Sequence, residues 1–353
     1  MDLELLQSTL AERGEPAFRA RQVWAWAARG ASGYEQMTDL PAGLREALAH
    51  EVPYTSLTLR EEARSRDGTV KALFATADGR ELEAVLMRYR DTPKGTGGRR
   101  SICVSSQSGC PLTCSFCATG KMKFARNLTA SEILDQALHL ARLEPPESRG
   151  LTNCVFMGMG EPMLNLDAVL AACERLPDLG IGHRRTTIST VGWIPGIERL
   201  TESDMPLRLA LSLHAADEAL RSELMPVNER YPLKDVLTAC RAFYERRKRR
   251  VFVEYVMLAG VNDRYQQALA LARALRDERD GDGSIFKVNL IPFNPGAEDD
   301  GESFRGSSRE SIAAFKGVLE SNGVPATVRL TRGRDIAAAC GQLAARAIQP
   351  TSG

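Results

Sequence analysis

The sequence predicts an α/β protein: a partial (β/α)6 barrel over residues 99–330, preceded by a small α+β unit (1–92) and followed by a tail (331–353). Three observations predict it. Apolar spacing changes from helical to strand-like within the first unit. Six β-rich runs then alternate with helical patterns, which argues for a parallel sheet with right-handed crossovers. The closing stretch continues neither pattern and carries a cysteine among small residues.

In the first unit, Leu3, Leu5, Leu6 and Leu10 recur at helical spacing, and Phe18, Val23, Trp24 and Trp26 resume it after the Gly14-Glu15-Pro16 break. A short helix over Pro41–His50 follows. Strands are expected over 56–62, 69–76 and 81–88, joined by the hairpin turns Asp67-Gly68 and Asp78-Gly79. The Pro- and Gly-rich bridge 92–98 sets the boundary. Barrel strands are expected at Ser101–Ser106, Asn153–Gly158, Arg185–Val191, Leu207–His214, Val251–Leu258 and Phe286–Pro292. Helical patterns fall at Ala130–Arg142, Leu166–Leu176, Pro195–Thr201, Leu233–Arg246 and Arg264–Arg276, the first opened by the capping box Thr129-x-x-Glu132. A last helix (Arg309–Ser321) and a strand near Ala326–Leu330 lead into the tail.

Composition narrows the class. With 353 residues, 43% hydrophobic and 26% charged, the chain can bury a full core, which excludes global disorder. No apolar run approaches the roughly 20 residues that span a bilayer, and the start has no basic-then-apolar leader. A cytoplasmic monomer with no membrane partner is expected. The net charge of +1 argues against indiscriminate nucleic-acid binding, yet basic residues cluster locally at Arg246–Arg250, Arg99-Arg100, Arg184-Arg185 and around Lys121, Lys123 and Arg126.

Eight cysteines in a reducing compartment point to metal or redox chemistry rather than a disulfide framework. Cys110-Pro-Leu-Thr-Cys114-Ser-Phe-Cys117 places three thiols within eight residues, directly after an expected strand. A structural zinc site needs four ligands, and no second pair lies nearby. Three thiolates on a four-iron cluster leave one iron open to a small molecule. The spacing C-x3-C-x-Phe-C resembles the signature of the radical S-adenosylmethionine (SAM) superfamily. The resemblance implies a [4Fe–4S] cluster on Cys110, Cys114 and Cys117, with the open iron chelating SAM. It also implies SAM contacts at Gly160 and Glu161 in Gly158-Met-Gly-Glu-Pro162, at Ser189, at Ser212-Leu213-His214 and at Asn294.

Two outlying cysteines set the branch. Cys103 lies in the strand before the cluster motif, and Cys340 lies between Ala337–Ala339 and Gly341 after Arg332 and Arg334, where a sulfur would be accessible and cations could favour thiolate. With Ser105–Cys110, Arg126–Thr129, Asn289–Pro295 and Asp335–Leu343, the chain resembles the dual-specificity adenosine C2-methyltransferases of 23S rRNA and of tRNA adenosine 37. Lys123 departs from a position that is often glycine there.

The resemblance implies that Cys340 takes a methyl group from one SAM, and that a 5′-deoxyadenosyl radical from a second removes hydrogen from it. The methylene radical then adds to the adenine. Cys103 resolves the adduct through a Cys103–Cys340 disulfide, with Glu83 as general base and an external electron donor and disulfide reductant as partners. Adenosine C8 methylation of the antibiotic-resistance type uses the same residues and is the rival reading. A radical activase, which would not need Cys340, and a metal-binding RNA module are the others. Cys154, Cys173 and Cys240 are left to the core.

Overall fold

The computed structural model describes residues 1–89, 98–145, 148, 150–276, 284–295 and 304–344. Three helices, α1 (Leu3–Glu12), α2 (Phe18–Ala28) and α3 (Ala42–Glu51), precede the antiparallel strands β1 (Leu57–Arg64), β2 (Val70–Thr76) and β3 (Glu81–Arg88). Each strand turn carries a glycine with positive φ, Gly68 at 84° and Gly79 at 76°, which is the conformation these tight turns demand. Of the bridge placed at 92–98, only Gly98 lies within the described residues.

The barrel follows as β4 (Arg100–Cys103), a two-residue ribbon of β5 (Gln107–Ser108) and β6 (Arg126–Asn127), α4 (Ala130–Arg142), β7 (Asn153–Phe156), α5 (Leu166–Arg175), β8 (Thr186–Thr190), α6 (Ile194–Glu202) and β9 (Arg208–Ser212). It continues through α7 (Glu218–Leu224), α8 (Leu233–Arg247), β10 (Val251–Met257), α9 (Tyr265–Leu275), β11 (Phe286–Pro292), α10 (Arg309–Ser321) and β12 (Ala326–Val328). The ten-stranded sheet runs β1-β2-β3-β4-β7-β8-β9-β10-β11-β12. From β4 onward every pairing is parallel, whereas β3 joins β4 antiparallel, with Val85 opposite Cys103.

Alternation within the strands creates an inside. In β11 buried Phe286, Val288 and Leu290 alternate with half-buried Lys287, Asn289 and Ile291, and β7 and β9 likewise leave Asn153, Val155, Arg208 and Ser212 half-buried. One face is covered by helices, and the other lines a lumen too polar to collapse. The capping box of α4 forms as expected: Glu132 N donates to Thr129 Oγ1 at 3.2 Å and Thr129 N to Glu132 Oε2 at 2.9 Å. Sequence periodicity missed the β5–β6 ribbon, whose strands are too short to have a period, and α7, whose seven residues hide behind the cap Asp217. Among the described residues no helix is long and apolar enough to cross a membrane.

Candidate active site

The three clustered cysteines lie between β5 and β6, so the ribbon pins both ends of their loop. Gly109 enters it at φ 73°, where a Cβ would meet Lys123 O at 2.4 Å. Cys117 N donates to Cys114 O at 3.2 Å and Lys121 N to Cys117 O at 3.3 Å, while Ser115 N reaches Leu224 O at the end of α7 at 3.1 Å. Burial pushes the Cys110 thiol up to about 12 and raises Cys114 and Cys117; Cys117 and Cys110 add their own repulsion at Cys114. Neighbouring buried thiols ionise only against a strong local positive charge.

Among the described residues no three His, Cys, Asp or Glu side chains converge on a point that would hold one metal ion. Three thiols also fall one short of the four ligands of a closed structural zinc site. A cluster that takes one thiolate at each of three corners fits the donor set.

Beside Cys117 opens a cavity of about 160 Å³ that Gly158, Gly160, Glu161, Ser189, Ser212 and His214 also line. A Cβ on Gly158 would fall 2.7 Å from Val104 O, and Gly160 holds φ 96° against the Gln107 side chain. Glu161 Oε1 accepts from Met163 N at 3.1 Å and Oε2 from Val191 N at 3.0 Å, and burial lifts its carboxyl to about 7. Such a group gains from an ammonium partner. Ser189 Oγ and Ser212 Oγ lie 3.4 Å apart.

His214, at φ 59°, accepts at Nδ1 from Val256 N at 3.0 Å and sets its ring edge-on to Phe116. Burial, then Arg221, pushes it down to about 3. The neutral ring therefore carries its proton on Nε2, a donor on a side chain that lines the cavity. Leu213 lines neither cavity: its side chain is fully buried, and only its backbone serves, donating to Glu254 O and accepting from Arg221 Nε.

A second cavity of about 420 Å³ lies along the lumen and contains Cys103 and Asn294. Asn294 Nδ2 donates to Pro292 O at 3.0 Å. Cys340 is exposed and lines both cavities, so the tail sets its sulfur at their junction. Cys103 is buried; burial, and after it the charge of Cys340, pushes its thiol up to about 12. The two cysteines line one cavity.

The cation at Cys340 is Arg329, whose Nη1 donates to Sγ at 3.9 Å and lies 3.5 Å from Glu254. Arg332, one of the two arginines expected to serve, turns instead to Asp67 and stacks on Tyr89. Sequence reasoning missed Arg329 and Glu254; Glu254 sits at an inward position of β10 and Arg329 directly after β12, and no local spacing marks them.

Glu83 borders neither cavity. It is buried, paired with Lys71 Nζ at 2.9 Å, and accepts from Ala344 N at 3.0 Å, so the tail covers it. Cys154, Cys173 and Cys240 are fully buried, as expected.

Comparison with known proteins places this architecture. The radical SAM superfamily profile matches residues 104–272, and that of the ribosomal RNA large subunit methyltransferase N-terminal domain matches residues 1–52. A Chloroflexus aurantiacus protein described as a probable dual-specificity RNA methyltransferase RlmN is 46% identical, over 97% of this chain and 90% of its own length. The chain belongs to the RlmN family of radical SAM RNA methyltransferases.

A second RlmN relative, from Thermus thermophilus, is 44% identical over 99% of this chain and 94% of its own. The crystal structure of a radical SAM methyltransferase from Sphaerobacter thermophilus superposes with a TM-score of 0.88 at 44% identity, covering 98% of each chain. RlmN membership bears out the radical SAM barrel and implies a [4Fe–4S] cluster and SAM as cofactors.

Proposed function

We propose that this enzyme methylates C2 of adenosine in 23S rRNA and at tRNA position 37, with Cys340 as the covalent methyl carrier. The position of Cys340, at the junction of the two cavities, carries the proposal. A cysteine that takes its methyl group on one side and delivers it on the other needs access to both.

Cys110, Cys114 and Cys117 hold the cluster, and Glu161, Gly160, Ser189, Ser212 and His214 shape the SAM site, with the Leu213 backbone behind them, while Asn294 stands apart in the lumen cavity. When bound, SAM supplies a methyl group from one molecule and a hydrogen-abstracting radical from a second, two per turnover. Cys340 thiolate attacks the methyl carbon of the sulfonium and becomes a thioether, as the S–CH3 bond of SAM breaks and S-adenosylhomocysteine leaves. After that methyl carbon loses a hydrogen atom and joins adenine, Glu83 takes the C2 proton, once Ala344 has lifted from its carboxylate. The adduct also gives up its unpaired electron, which the oxidised cluster on Cys110, Cys114 and Cys117 would accept.

Cys103 thiolate then attacks Cys340 Sγ. The new S–S bond forms as the Sγ–carbon bond breaks, and the released carbon takes a proton to become the methyl product. Both sulfurs end oxidised in one disulfide, which an external thiol reductant restores by exchange. An external electron donor reduces the cluster.

The test uses the reconstituted holoenzyme. Cys340→Ala abolishes RNA methylation with iron content unchanged, whereas Cys103→Ala accumulates a covalent protein–RNA adduct. Turnover by the first variant, or freely released product from the second, overturns the reading. Mass spectrometry of digested RNA gives 2-methyladenosine; 8-methyladenosine would move the assignment to the rival reaction.

A further inference from the structure

The lumen cavity does not end at the two sulfurs. It continues to the first residues of the parallel strands, where Arg208 of β9, Phe252 of β10 and Lys287 of β11 line it. These strand starts form the barrel face opposite the cluster loop, which follows the C-terminal end of β4. Arg184 and Arg185 stand immediately before β8, and Arg249 two residues before β10.

The charges that act on Arg249 are Arg184, Arg208 and Arg247, and the one that acts on Arg208 is Arg185. Burial first, then these like charges, hold both guanidiniums below their ordinary values. Clustered cations repel one another and cost folding free energy. Arg208 lines the cavity and the other arginines stand before neighbouring strand starts; such a group is what an anionic polymer would neutralise, and guanidinium forks match phosphate geometry.

The cluster side holds the cavity assigned to SAM. There the tail is stapled to the cluster loop by Ala118 N to Gly341 O at 2.9 Å and Thr119 Oγ1 to Leu343 O at 2.6 Å. At the strand-start mouth Phe252 offers a ring, with Arg208 6.0 Å above its centre, on which a base can stack. The cavity's 420 Å³ falls within the range of small-ligand sites.

We propose that the RNA strand docks by its phosphates on the strand-start face, on Arg184, Arg185, Arg208 and Arg249, and that the target nucleotide enters the barrel there, opposite the cluster. SAM and RNA then reach Cys340 from two sides without passing one another, and the base leaves its stack to do so. The proposal rests on the reading of Cys340 as methyl carrier.

The experiment measures RNA KM, kcat, and the salt dependence of affinity for a single-stranded oligoribonucleotide, on holoenzyme of the full chain. Arg185→Glu with Arg249→Glu raises KM about tenfold or more with kcat within about twofold, and lowers the slope of log affinity against log salt by roughly 1.4, about 0.7 for each lost contact. Arg185→Lys with Arg249→Lys keeps most of the slope, and Lys123→Glu, beside the cluster loop, leaves KM near wild type.

Should the double reversal fail to fold, Arg185→Gln, which only deletes an exposed charge, reads the loss of one contact. An unchanged KM and slope in these variants, or a larger effect from Lys123→Glu, overturns the proposal. Methylation of Cys340 by SAM without RNA is followed by mass spectrometry in parallel. Its absence in the wild-type enzyme defeats the carrier reading and leaves the docking measurement standing.

Discussion

The cluster loop and the tail are both irregular segments, and they touch through Ala118 N and Gly341 O, but they are built in opposite ways. The loop is held from within and at its base, by Cys117 N on Cys114 O, Lys121 N on Cys117 O and the β5–β6 ribbon. The tail has turns of its own, Ala338 N on Gly333 O and Gln342 N on Ala339 O, but most of its bonds run to distant segments. Gly333 N donates to Asp67, Asp335 accepts from Ser65 and Arg66, Lys71 reaches Ala337 O, Gln342 reaches Pro295 O, and Ala344 N reaches Glu83. A metal loop must keep its donors in fixed array. A methyl-carrying cysteine has to meet two cavities and, in the proposed cycle, move between partners. Local stitching suits the first task, and long-range contacts that can break singly suit the second.

The sharpest break in this comparison is Gly109→Ala. Its φ of 73° and the Lys123 O that a Cβ would meet at 2.4 Å make the change cost about 3 kcal/mol, concentrated in the loop. Reconstitution should yield little bound iron and little methylation. Full iron content in a normally folded variant would show that the loop is not held as described.

Asp335→Ala should act on the tail alone. It removes the bonds to Ser65 Oγ at 2.6 Å and Arg66 N at 3.2 Å, each worth about 1 kcal/mol. Tail proteolysis should speed up and methylation of Cys340 slow by about tenfold, with iron content unchanged. Iron lost in step with activity would mean that loop and tail form one unit.

The smallest effect concerns His214, which packs on Phe116 of the loop and lines the cavity that Cys340 and Gly341 of the tail also line. Its folded value near 3 lies below the ordinary ~6.5 of an unfolded chain. Its contribution is therefore complete above about pH 6.5 and is lost as pH falls toward 3. Between pH 6.5 and 5.5 stability should drop by about 1 kcal/mol in the wild type and by less in His214→Gln, read from denaturant midpoints. Parallel curves would show that His214 is not the buried neutral base described.

Much of the fold was legible because the signals are local. The alternating runs located the barrel strands, and Asp67-Gly68 and Asp78-Gly79 located both hairpin turns. The ribbon β5–β6 escaped, since two residues have no period, and so did the continuation of the hairpin strands into the barrel sheet, which rests on β3 pairing with β4 across a long connection. At the site, the spacing of Cys110, Cys114 and Cys117 marked the loop. Arg329 and Glu254 carried no mark, because a charged residue in or directly after a strand looks solvent-facing until the barrel curls it inward. Glu83 was expected as a base beside the substrate, and the structure shows it buried under the tail with Lys71.

The sequence by itself determined the metal loop and the barrel's strand–helix order, because converging thiols and alternating apolar faces are properties of neighbours along the chain. It also supplied the balance of +1 that concealed the arginines of the strand-start face. Only the tertiary structure decided that Cys340 and Cys103 line one cavity, that Arg329 is the cation at Cys340, and that Arg184, Arg185, Arg208 and Arg249 stand at neighbouring strand starts. Those meetings join residues from different strands and a distant tail, and sheet closure sets such distances where sequence spacing does not.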